Sequence, residues 1–274
     1  MPRRGDALPP PLKRLGQHFL SDPRILGRIA DALAPGPAET VVEIGPGRGA
    51  LTERLRERAG RVVAIELDRA LAHVLRERYA DDDRVTIVQG DALRTSLGDV
   101  GGEDYALIGN IPYYITTPIL FHALEPPRPS RAVFVVQREV AERLTATPDD
   151  DAYGALSVNV QAVATVNTLF AIPAGAFQPP PSVESAAVRL TPREKPLVVP
   201  GMEDAFRRFV QGAFGLRRKQ MRRVIRTLFG LDVATTSRLL DDAGVSGETR
   251  PERLTPEQFL VLLQAVRQVS PRDS

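Results

Sequence analysis

Short apolar runs rich in β-branched residues alternate with helix-like patterns through the first two-thirds of the chain. Seven such runs are present, at residues 40–45, 61–66, 84–89, 105–110, 131–137, 165–172 and 185–190. Strands that alternate with helices along a sequence are typical of a mostly parallel sheet with helices on both faces. The pattern therefore predicts a doubly wound, Rossmann-like α/β domain with a seven-stranded sheet.

Start and stop signals mark one helix ahead of the first strand. The sequence Ser21-Asp22-Pro23 joins a capping residue to a proline in the first turn, and apolar residues follow at helical spacing until Pro35-Gly36-Pro37. Residues 154–164 also have a helical pattern. We therefore expect one helix before the sheet and another between its fifth and sixth strands.

The pattern changes at residues 191–201, where proline and charged residues are frequent. Beyond this segment the apolar residues recur only at helical spacing and would form one stripe. Its members are Phe206, Val210, Ala213, Met221, Val224, Ile225 and Leu228. We therefore predict a basic flexible tail over residues 1–14, an α/β domain over 15–194 and a small all-helical domain over 195–274.

The amino-acid composition excludes several classes of protein and of functional site. The 274-residue chain contains no cysteine, which excludes disulfides and thiolate chemistry. Its three histidines, His18, His73 and His122, are far apart, so we expect no metal site. The N-terminal segment lacks the apolar core of a secretion signal, and no apolar run approaches the ~18 residues that span a bilayer. We therefore predict a cytoplasmic protein.

Positive charge is concentrated in one part of the chain, although the net charge is only +2. Residues 206–226 contain eight Lys or Arg and no acid. Their four-residue spacing would put basic side chains on one face of a single helix. The predicted nucleic-acid contacts are Arg217, Arg218, Lys219, Arg222, Arg223 and Arg226. A solvated helix face is the alternative, but the absence of acids favours an anionic partner.

A glycine-rich turn joins the first strand to a helix. Gly45, Gly47 and Gly49 occur in the sequence EIGPGRGALTERL. Residues without side chains let the backbone approach a ligand at the N-terminus of a helix. The same turn could also serve only to close a tight connection, so this motif alone does not decide between a binding site and a structural turn.

Acidic residues stand near the ends of the first three strands. Glu43 lies within the first strand, Glu66 ends the second and Asp91 follows the third. Each acid alone could be a turn or surface residue, but open α/β sheets bind ligands beyond the carboxyl ends of their strands. There Glu66 could accept the ribose hydroxyls of an adenosine, and Asp91 could reach its adenine. Because the glycine spacing is G-x-G-x-G, S-adenosylmethionine fits better than a dinucleotide.

The segment Asn110-Ile111-Pro112-Tyr113 follows the fourth strand, next to this predicted donor site. The amide oxygen of Asn110 and the backbone carbonyl before Pro112 are two fixed acceptors for an exocyclic amine. They would free the nitrogen lone pair for attack on a sulfonium methyl group, without a general base. Tyr113 and Phe177 would stack on the two faces of the base. An ordinary strand exit, and core packing for Phe177, are the alternatives.

These segments together resemble the ribosomal RNA adenine dimethyltransferases, in particular the KsgA type that acts on small-subunit RNA. The matching segments are LGQHFLSD (15–22), EIGPGRGALT (43–52), VAIELD (63–68), QGDAL (89–93), GNIPYYITTPI (109–119), QREVAERL (137–144), YGALSVNVQ (153–161), FQPPPSVESAAVRL (177–190) and FGLRRKQMRR (214–223). The resemblance implies an S-adenosylmethionine-dependent methyltransferase fold. It also implies dimethylation of two adjacent adenines in a hairpin loop near the 3′ end of 16S ribosomal RNA, by a monomer acting on an assembly intermediate during ribosome biogenesis.

The resemblance also assigns roles to individual residues. By resemblance, cofactor contacts fall on His18, Leu20, Gly45, Gly47, Glu66, Asp91 and Asn110, and the target-base site falls on Asn110, Ile111, Pro112, Tyr113 and Phe177. Two positions depart from the family pattern, which has asparagine at the position of His18 and often at that of Tyr114. Neither change removes a group that the chemistry requires.

Two rival functions remain open. A related adenine methyltransferase of the macrolide-resistance type, which modifies large-subunit RNA, shares the glycine loop and the N-I-P-Y motif. The YGALSV and RRKQMRR segments favour the small-subunit type. A non-catalytic ribosome-assembly factor with the same fold is the second rival, and measurable cofactor binding would distinguish it from an enzyme. A nicotinamide-dependent oxidoreductase is disfavoured by the glycine spacing.

Overall fold

The computed structural model describes Pro9 and residues 16–269. Apart from Pro9, the predicted tail over residues 1–14 lies outside the described residues. The chain forms two compact units. Among the described residues, the first contains those up to Ala141 together with Val166–Pro192, and the second contains Glu142–Thr165 and those from Arg193 to Val269. The second unit therefore includes a segment that the predicted helical region over 195–274 does not contain.

Seven of the described strands form one sheet, and each lies on one of the seven apolar runs of the sequence. In chain order the strands are β1 (Phe19–Leu20), β2 (Thr40–Ile44), β3 (Arg61–Glu66), β4 (Val85–Gln89), β5 (Tyr105–Asn110), β6 (Arg131–Gln137), β7 (Ala164–Ile172), β8 (Phe177–Gln178) and β9 (Ser185–Pro192). The spatial order is β4-β3-β2-β5-β6-β9-β7, with β2 to β6 parallel and β9 antiparallel to β6. The predicted seven-stranded α/β sheet is confirmed.

Helices connect the parallel strands, and only helices follow β9 in the described residues. They are α1 (Pro23–Leu33), α2 (Ala50–Arg56), α3 (Arg69–Arg78), α4 (Leu97–Gly101), α5 (Thr116–Ala123), α6 (Arg138–Thr145), α7 (Ala155–Gln161), α8 (Glu203–Gly215), α9 (Met221–Phe229), α10 (Val233–Asp242) and α11 (Pro256–Val269). Parallel strands need such crossover helices because a tight turn can join only strands that run in opposite directions. No helix in the described residues is long and apolar enough to cross a membrane.

Helix α1 begins where its capping signal predicts, and a side chain from the sheet binds its other end. The Asp22 carboxylate accepts hydrogen bonds from two backbone N–H groups of the first turn, at 2.8 and 3.3 Å. The Arg131 guanidinium on β6 donates to the carbonyls of Leu33 and Ala34, at 2.6 and 2.9 Å. These carbonyls have no partner within the helix, so Arg131 acts as the C-terminal cap of α1.

The core of the first unit lies between α1, α2 and the sheet. Its fully buried members include Ile29, Leu33, Val41 and Leu55. Strands in such a sheet are apolar along their whole length because helices cover both faces. The two-residue strands β1 and β8 pair antiparallel beside this core, so the N-terminal segment lies next to the segment that follows residue 177.

Aromatic rings fill the core of the second unit. Phe209 contacts Phe229 and Phe259, with ring centroids 5.4 and 5.7 Å apart. Phe214 stacks on Phe259 and meets Tyr153 edge to face. The Tyr153 hydroxyl also donates to the carbonyl of Leu254, at 2.8 Å. The segment before β7 is thus packed among helices from the C-terminal part of the chain.

A turn over residues 216–220 separates α8 from α9, so the predicted single basic helix is wrong. The backbone N–H groups of Met221 and Arg222 donate to the carbonyls of Thr249 and Gly247, at 2.7 and 3.0 Å. Because these bonds reach a loop distant in sequence, α9 starts as a new helix at residue 221. Helical periodicity in the sequence cannot reveal such a break.

We predict that Arg131→Met lowers the free energy of unfolding by about 2–3 kcal/mol. The variant leaves the Glu39 carboxylate and the last carbonyls of α1 without the hydrogen bonds that Arg131 donates. Arg131 contacts both carboxylate oxygens of Glu39, at 2.7 and 2.8 Å, in addition to capping α1. Burial alone would raise the pKa of Glu39, but the hydrogen bonds from Arg131 and the Gly36 N–H outweigh it and hold that pKa below 4.5. The stabilisation is therefore present above pH 4.5 and is lost as the pH falls through the lowered pKa.

Urea denaturation of wild type and variant, at pH 7 and in acid, measures this difference. Arg58→Met is the matched control, because it removes a more exposed ion pair with Asp31 and should cost under about 1 kcal/mol. Equal losses in the two variants would contradict the capping role of Arg131, and a loss that does not shrink in acid would contradict the contribution of its ion pair with Glu39.

Candidate active site

The glycine turn after β2 adopts a backbone that side chains disfavour. Gly45, Gly47 and Gly49 have φ values of 69°, 56° and 78°, all in the left-handed region. A Cβ on Gly47 would lie 2.8 Å from a ring carbon of Phe19. The backbone of the turn therefore packs directly against the N-terminal segment, and this close approach requires glycine at position 47.

Glu66 at the end of β3 is held by this turn. One carboxylate oxygen accepts the Gly47 N–H at 2.9 Å, and the other accepts the Asp68 N–H at 2.8 Å. Burial raises the pKa of Glu66, although these two backbone bonds oppose the effect. Each carboxylate oxygen can accept a second hydrogen bond, so the residue retains capacity for two ligand hydroxyls.

Glu43 lies beneath the turn in the protein interior. It is 1% exposed, and its carboxyl group accepts a hydrogen bond from the Thr52 hydroxyl at 2.7 Å. Burial raises its pKa to about 8, the Thr52 hydrogen bond opposes this shift, and the charge of Glu66 adds to it. Glu43 therefore links β2 to α2 and is not among the residues that line the cavity described next.

One cavity in the first unit brings the glycine turn, the strand ends and the Asn110 segment together. Its lining residues are Gly16, Gln17, His18, Phe19, Ile44, Gly45, Gly47, Ile65, Glu66, Leu67, Gly90, Asp91, Ala92, Asn110, Ile111, Pro112, Tyr113, Tyr114 and Ile115. The strand ends converge because β2, β3, β4 and β5 are parallel neighbours. Every residue predicted for the cofactor or the target base lines this cavity except Leu20 and Phe177.

The Asn110 side chain has a defined orientation. Its amide nitrogen donates to the backbone carbonyl of His18 at 2.9 Å. This bond fixes the amide oxygen as the end that remains for another partner, and no donor among the described residues is bound to it. Asn110 therefore presents a hydrogen-bond acceptor in a cavity that Ile111 and Pro112 also line.

Tyr113 is fixed by a residue that the sequence reading missed. Its hydroxyl lies 2.8 Å from the Ser185 hydroxyl, and Ser185 is fully buried at the start of β9. Burial raises the pKa of Tyr113, although the Ser185 bond opposes this shift, so the phenol stays neutral. A serine opening an apolar strand, in the sequence VESAAV, was the only available signal.

His18 contacts the groups around the Asn110 segment. Its Nδ1 atom lies 2.8 Å from the Pro179 carbonyl oxygen, and its ring stacks on Tyr113 with centroids 5.9 Å apart and planes at 23°. Because a carbonyl only accepts, Nδ1 carries the proton, which leaves Nε2 of the neutral ring as an acceptor. His18 therefore joins the N-terminal segment to the loop after β8 as well as lining the cavity.

Leu20 and Phe177 are placed differently from the expectation. They are partners across the β1–β8 pair and are 7% and 4% exposed, within the core of the first unit. The Leu20 side chain therefore does not reach the cavity. Phe177 cannot stack on a base without leaving this packing, so the core-packing alternative describes the ring in this structure.

Asp91 lies at the third strand end, as predicted. One carboxylate oxygen accepts the Leu93 N–H at 3.0 Å, and the other is 3.9 Å from the Arg94 guanidinium. The first bond forms a local turn that fixes the direction of the side chain. Asp91 thus lines the cavity with a carboxylate that keeps acceptor capacity.

The predicted basic residues are all exposed in the second unit. Five of them line one groove: Arg218, Lys219, Arg222, Arg223 and Arg226. Arg217 lies outside the groove lining and is 3.9 Å from Glu252. Two acids, Asp241 and Glu248, also line the groove, so its charge is strongly but not uniformly positive.

Comparison with known proteins identifies the family. The model of the family described as ribosomal RNA adenine dimethylase matches residues 12–268. The chain belongs to this family. The predicted family, its methyltransferase fold and the enzyme class of rRNA adenine dimethyltransferase are therefore confirmed.

Individual relatives of this adenine dimethylase cover nearly its whole length. A protein named ribosomal RNA small subunit methyltransferase A from Geobacter metallireducens is 42% identical over 260 residues, 93% of this chain and 94% of the relative. One of the same name from Acinetobacter baylyi is 41% identical over 254 residues, 91% and 90% of the two chains.

Two solved structures are similar along most of the adenine dimethylase chain. A dimethyladenosine transferase from Plasmodium falciparum has a TM-score of 0.81 at 26% identity, over 92% of this chain and 98% of the other. The 23S rRNA methyltransferase ErmE has a TM-score of 0.70 at 30% identity, over 91% of this chain and 100% of the other.

We predict that Glu43→Gln makes the stability of this adenine dimethylase less dependent on pH. In wild type the unfolded carboxyl group ionises near pH 4.5 but the folded one only near pH 8. Wild-type stability therefore falls relative to the variant as the pH rises through this window and levels off above it. The relative loss should be on the order of 5 kcal/mol, given ~1.4 kcal/mol per pKa unit over the interval from 4.5 to about 8.

Urea denaturation between pH 4 and pH 9 tests this expectation. Glutamine can still accept the Thr52 hydrogen bond, so the fold should be kept. Glu103→Gln, at an exposed position, is the matched control and should leave the wild-type pH dependence unchanged. Parallel stability curves for wild type and Glu43→Gln would show that burial of this carboxyl group does not govern the pH response.

Proposed function

We propose that this chain transfers methyl groups from S-adenosylmethionine to the exocyclic amines of two adjacent adenines in a hairpin loop near the 3′ end of 16S ribosomal RNA, two on each. The observation that carries the proposal is one cavity in which a glycine turn and two acidic strand ends meet the amide oxygen of Asn110, which has no partner among the described residues. The names of the small-subunit relatives support the choice of RNA.

The donor half of the cavity fits an adenosine-containing ligand. The Gly47 position has no room for a side chain, so a ligand there meets bare backbone. Glu66 would accept the ribose hydroxyls through its remaining lone pairs, and Asp91 would accept from the adenine amine. Leu67, which is 46% exposed at the cavity, offers an apolar surface for the adenine ring. S-adenosylmethionine, when bound, supplies a methyl group on a positively charged sulfur.

The acceptor half fits an adenine that has left its stack. Asn110 through its amide oxygen, and Ile111 through its backbone carbonyl, would accept the two protons of the exocyclic amine. Binding both protons localises the nitrogen lone pair and orients it for attack. Catalysis then comes from position and electrostatics. The proton that the amine loses after methyl transfer would pass to solvent, so the reaction requires no side chain as a general base.

The rings of Tyr113 and His18, together with the Ser185 hydroxyl, would position the base. Tyr113 is anchored by Ser185 and supported by the stacked ring of His18, so its free surface can stack on the adenine. Such stacking contributes about 1–3 kcal/mol per base. His18 also fixes Asn110 through its backbone carbonyl. We therefore assign His18 to the acceptor half in addition to the cofactor contact implied by the family.

The basic groove of the second unit would bind the RNA backbone. Arginine and lysine contacts to phosphate orient RNA without reading its bases. Discrimination of adenine is thus left to the cavity, which suits the single-stranded loop that RNA-modifying enzymes target. We further propose that the chain acts as a monomer, and a ribosomal substrate supports the cytoplasm as the compartment.

The alternatives receive less support. The structure of a large-subunit methyltransferase is similar, but the small-subunit relatives have higher sequence identity over a comparable length. A non-catalytic assembly factor has no need for an Asn110 amide held with its oxygen free.

Incubation of the purified protein with labelled S-adenosylmethionine and small ribosomal subunits that lack these methyl groups tests the function. Digestion of the RNA should yield labelled N6,N6-dimethyladenosine. Label only in large-subunit RNA would overturn the choice of substrate. Donor binding without any transfer to either subunit would favour the non-catalytic factor.

We predict that Asn110→Ala lowers turnover at least ~100-fold, the effect of losing one preorganised polar group at a reacting centre. Affinity for RNA should change less than threefold, because the groove provides most of the phosphate contacts. Single-turnover methylation and filter binding measure the two quantities. Asn167→Ala, an exposed position on β7, is the control, and a matched loss of turnover and affinity in Asn110→Ala would contradict the assigned role.

We predict that the double variant Arg223→Gln, Arg226→Gln weakens binding to small subunits and reduces the dependence of log K on log salt by about 1 per lost phosphate contact. Turnover at saturating RNA should stay near wild type. Arg238→Gln, exposed on α10 and outside the groove lining, is the control. An unchanged salt slope in the double variant would exclude the groove as the phosphate site.

A further inference from the structure

Tyr114 differs from the other tyrosines of the chain. It is 57% exposed, and it is the only aromatic among the large apolar side chains exposed in the described residues. The hydroxyl groups of the other four tyrosines form hydrogen bonds within the protein, but the Tyr114 hydroxyl has no partner among the described residues. Neither burial nor hydrogen bonding therefore explains a tyrosine at this position.

The ring lies at the edge of the active-site cavity. Tyr114 belongs to the cavity lining, in the short 3-10 turn Tyr113–Ile115 that follows the Asn110 segment. Two of its ring carbons lie 3.6 and 3.8 Å from the position that a Cβ on Gly16 would occupy. Part of the ring thus rests against the bare backbone of Gly16, whose φ is 54°, and the rest faces solvent.

Two consecutive residues hence carry rings with different surroundings. Tyr113 is half-buried and tied to Ser185, whereas Tyr114 is exposed at the rim. A base that enters the cavity remains covalently linked to the next nucleotide, which must stay near the cavity mouth. Aromatic rings bind unstacked bases of single-stranded RNA by stacking, whatever the sequence.

We propose that Tyr114 is a binding subsite for a second nucleobase, the neighbour of the adenine in the cavity. The neighbouring base stacks on the exposed face of the Tyr114 ring while Tyr113 contacts the base that reacts. This subsite rests on the proposed function, which supplies two adjacent adenines. In this arrangement each base occupies the rim while the other is in the cavity.

Binding of a hairpin RNA with 2-aminopurine next to a loop adenine tests the proposal, because the fluorescence of 2-aminopurine is quenched when it stacks. Wild type and Tyr114→Phe should quench it. Tyr114→Leu, which keeps an apolar side chain but loses the ring, should not quench it, and its affinity should fall about 5- to 150-fold, the range expected for one stacked base. An abasic site in place of the neighbour should weaken wild type to the level of Tyr114→Leu and leave that variant unchanged.

Two further measurements separate the possible failures. Affinity for S-adenosylhomocysteine, measured by calorimetry, should be the same in all three proteins, and a loss confined to Tyr114→Leu would assign the ring to the donor instead. Absence of quenching by wild type, or equal quenching by all three proteins, would overturn the subsite. Methylation of small subunits by wild type reports separately on the proposed function, so quenching without methylation would leave the subsite standing and reject that function.

Discussion

The proposed acceptor site depends on one hydrogen bond, from the amide nitrogen of Asn110 to the backbone carbonyl of His18. An amide can present either a donor or an acceptor, and an adenine amine can be bound only by acceptors. The His18 carbonyl makes that choice, and the β1–β8 pairing holds the carbonyl in place. In the proposed site the N-terminal segment therefore belongs to the acceptor half, although more than 90 residues separate it from Asn110 in sequence.

The donor half is built on the same principle of fixed backbone groups. The glycine turn can approach Phe19 and Glu66 closely because it carries no side chains. The Gly47 N–H donates to Glu66. Burial raises the pKa of Glu66, and its backbone hydrogen bonds oppose this shift. Glu43 stays beneath the turn with a pKa raised to about 8. The two acids next to the turn therefore have different surroundings: Glu66 lines the cavity, and Glu43 supports the turn.

The sheet could be predicted because each strand carries its own apolar run, and the strand ends carry their own polar residues. Contacts between segments that are distant in the sequence could not be predicted in this way. The placement of Phe177 depends on a two-residue strand too short to leave a pattern, and Ser185 is recognisable only once Tyr113 is seen beside it. The break before α9 likewise depends on carbonyls of Gly247 and Thr249, which helical periodicity does not report.

Neutron diffraction from crystals of the protein with S-adenosylhomocysteine and adenosine would test the orientation of the Asn110 amide most directly. After exchange only the amide nitrogen carries deuterium, so the nitrogen can be told apart from the oxygen. We predict deuterium on the amide nitrogen directed at the His18 carbonyl, with the amide oxygen within hydrogen-bond distance of the adenosine amine. An amide nitrogen directed at the adenosine, or an Asn110 side chain turned away from it, would show that Asn110 does not accept a hydrogen bond from the base.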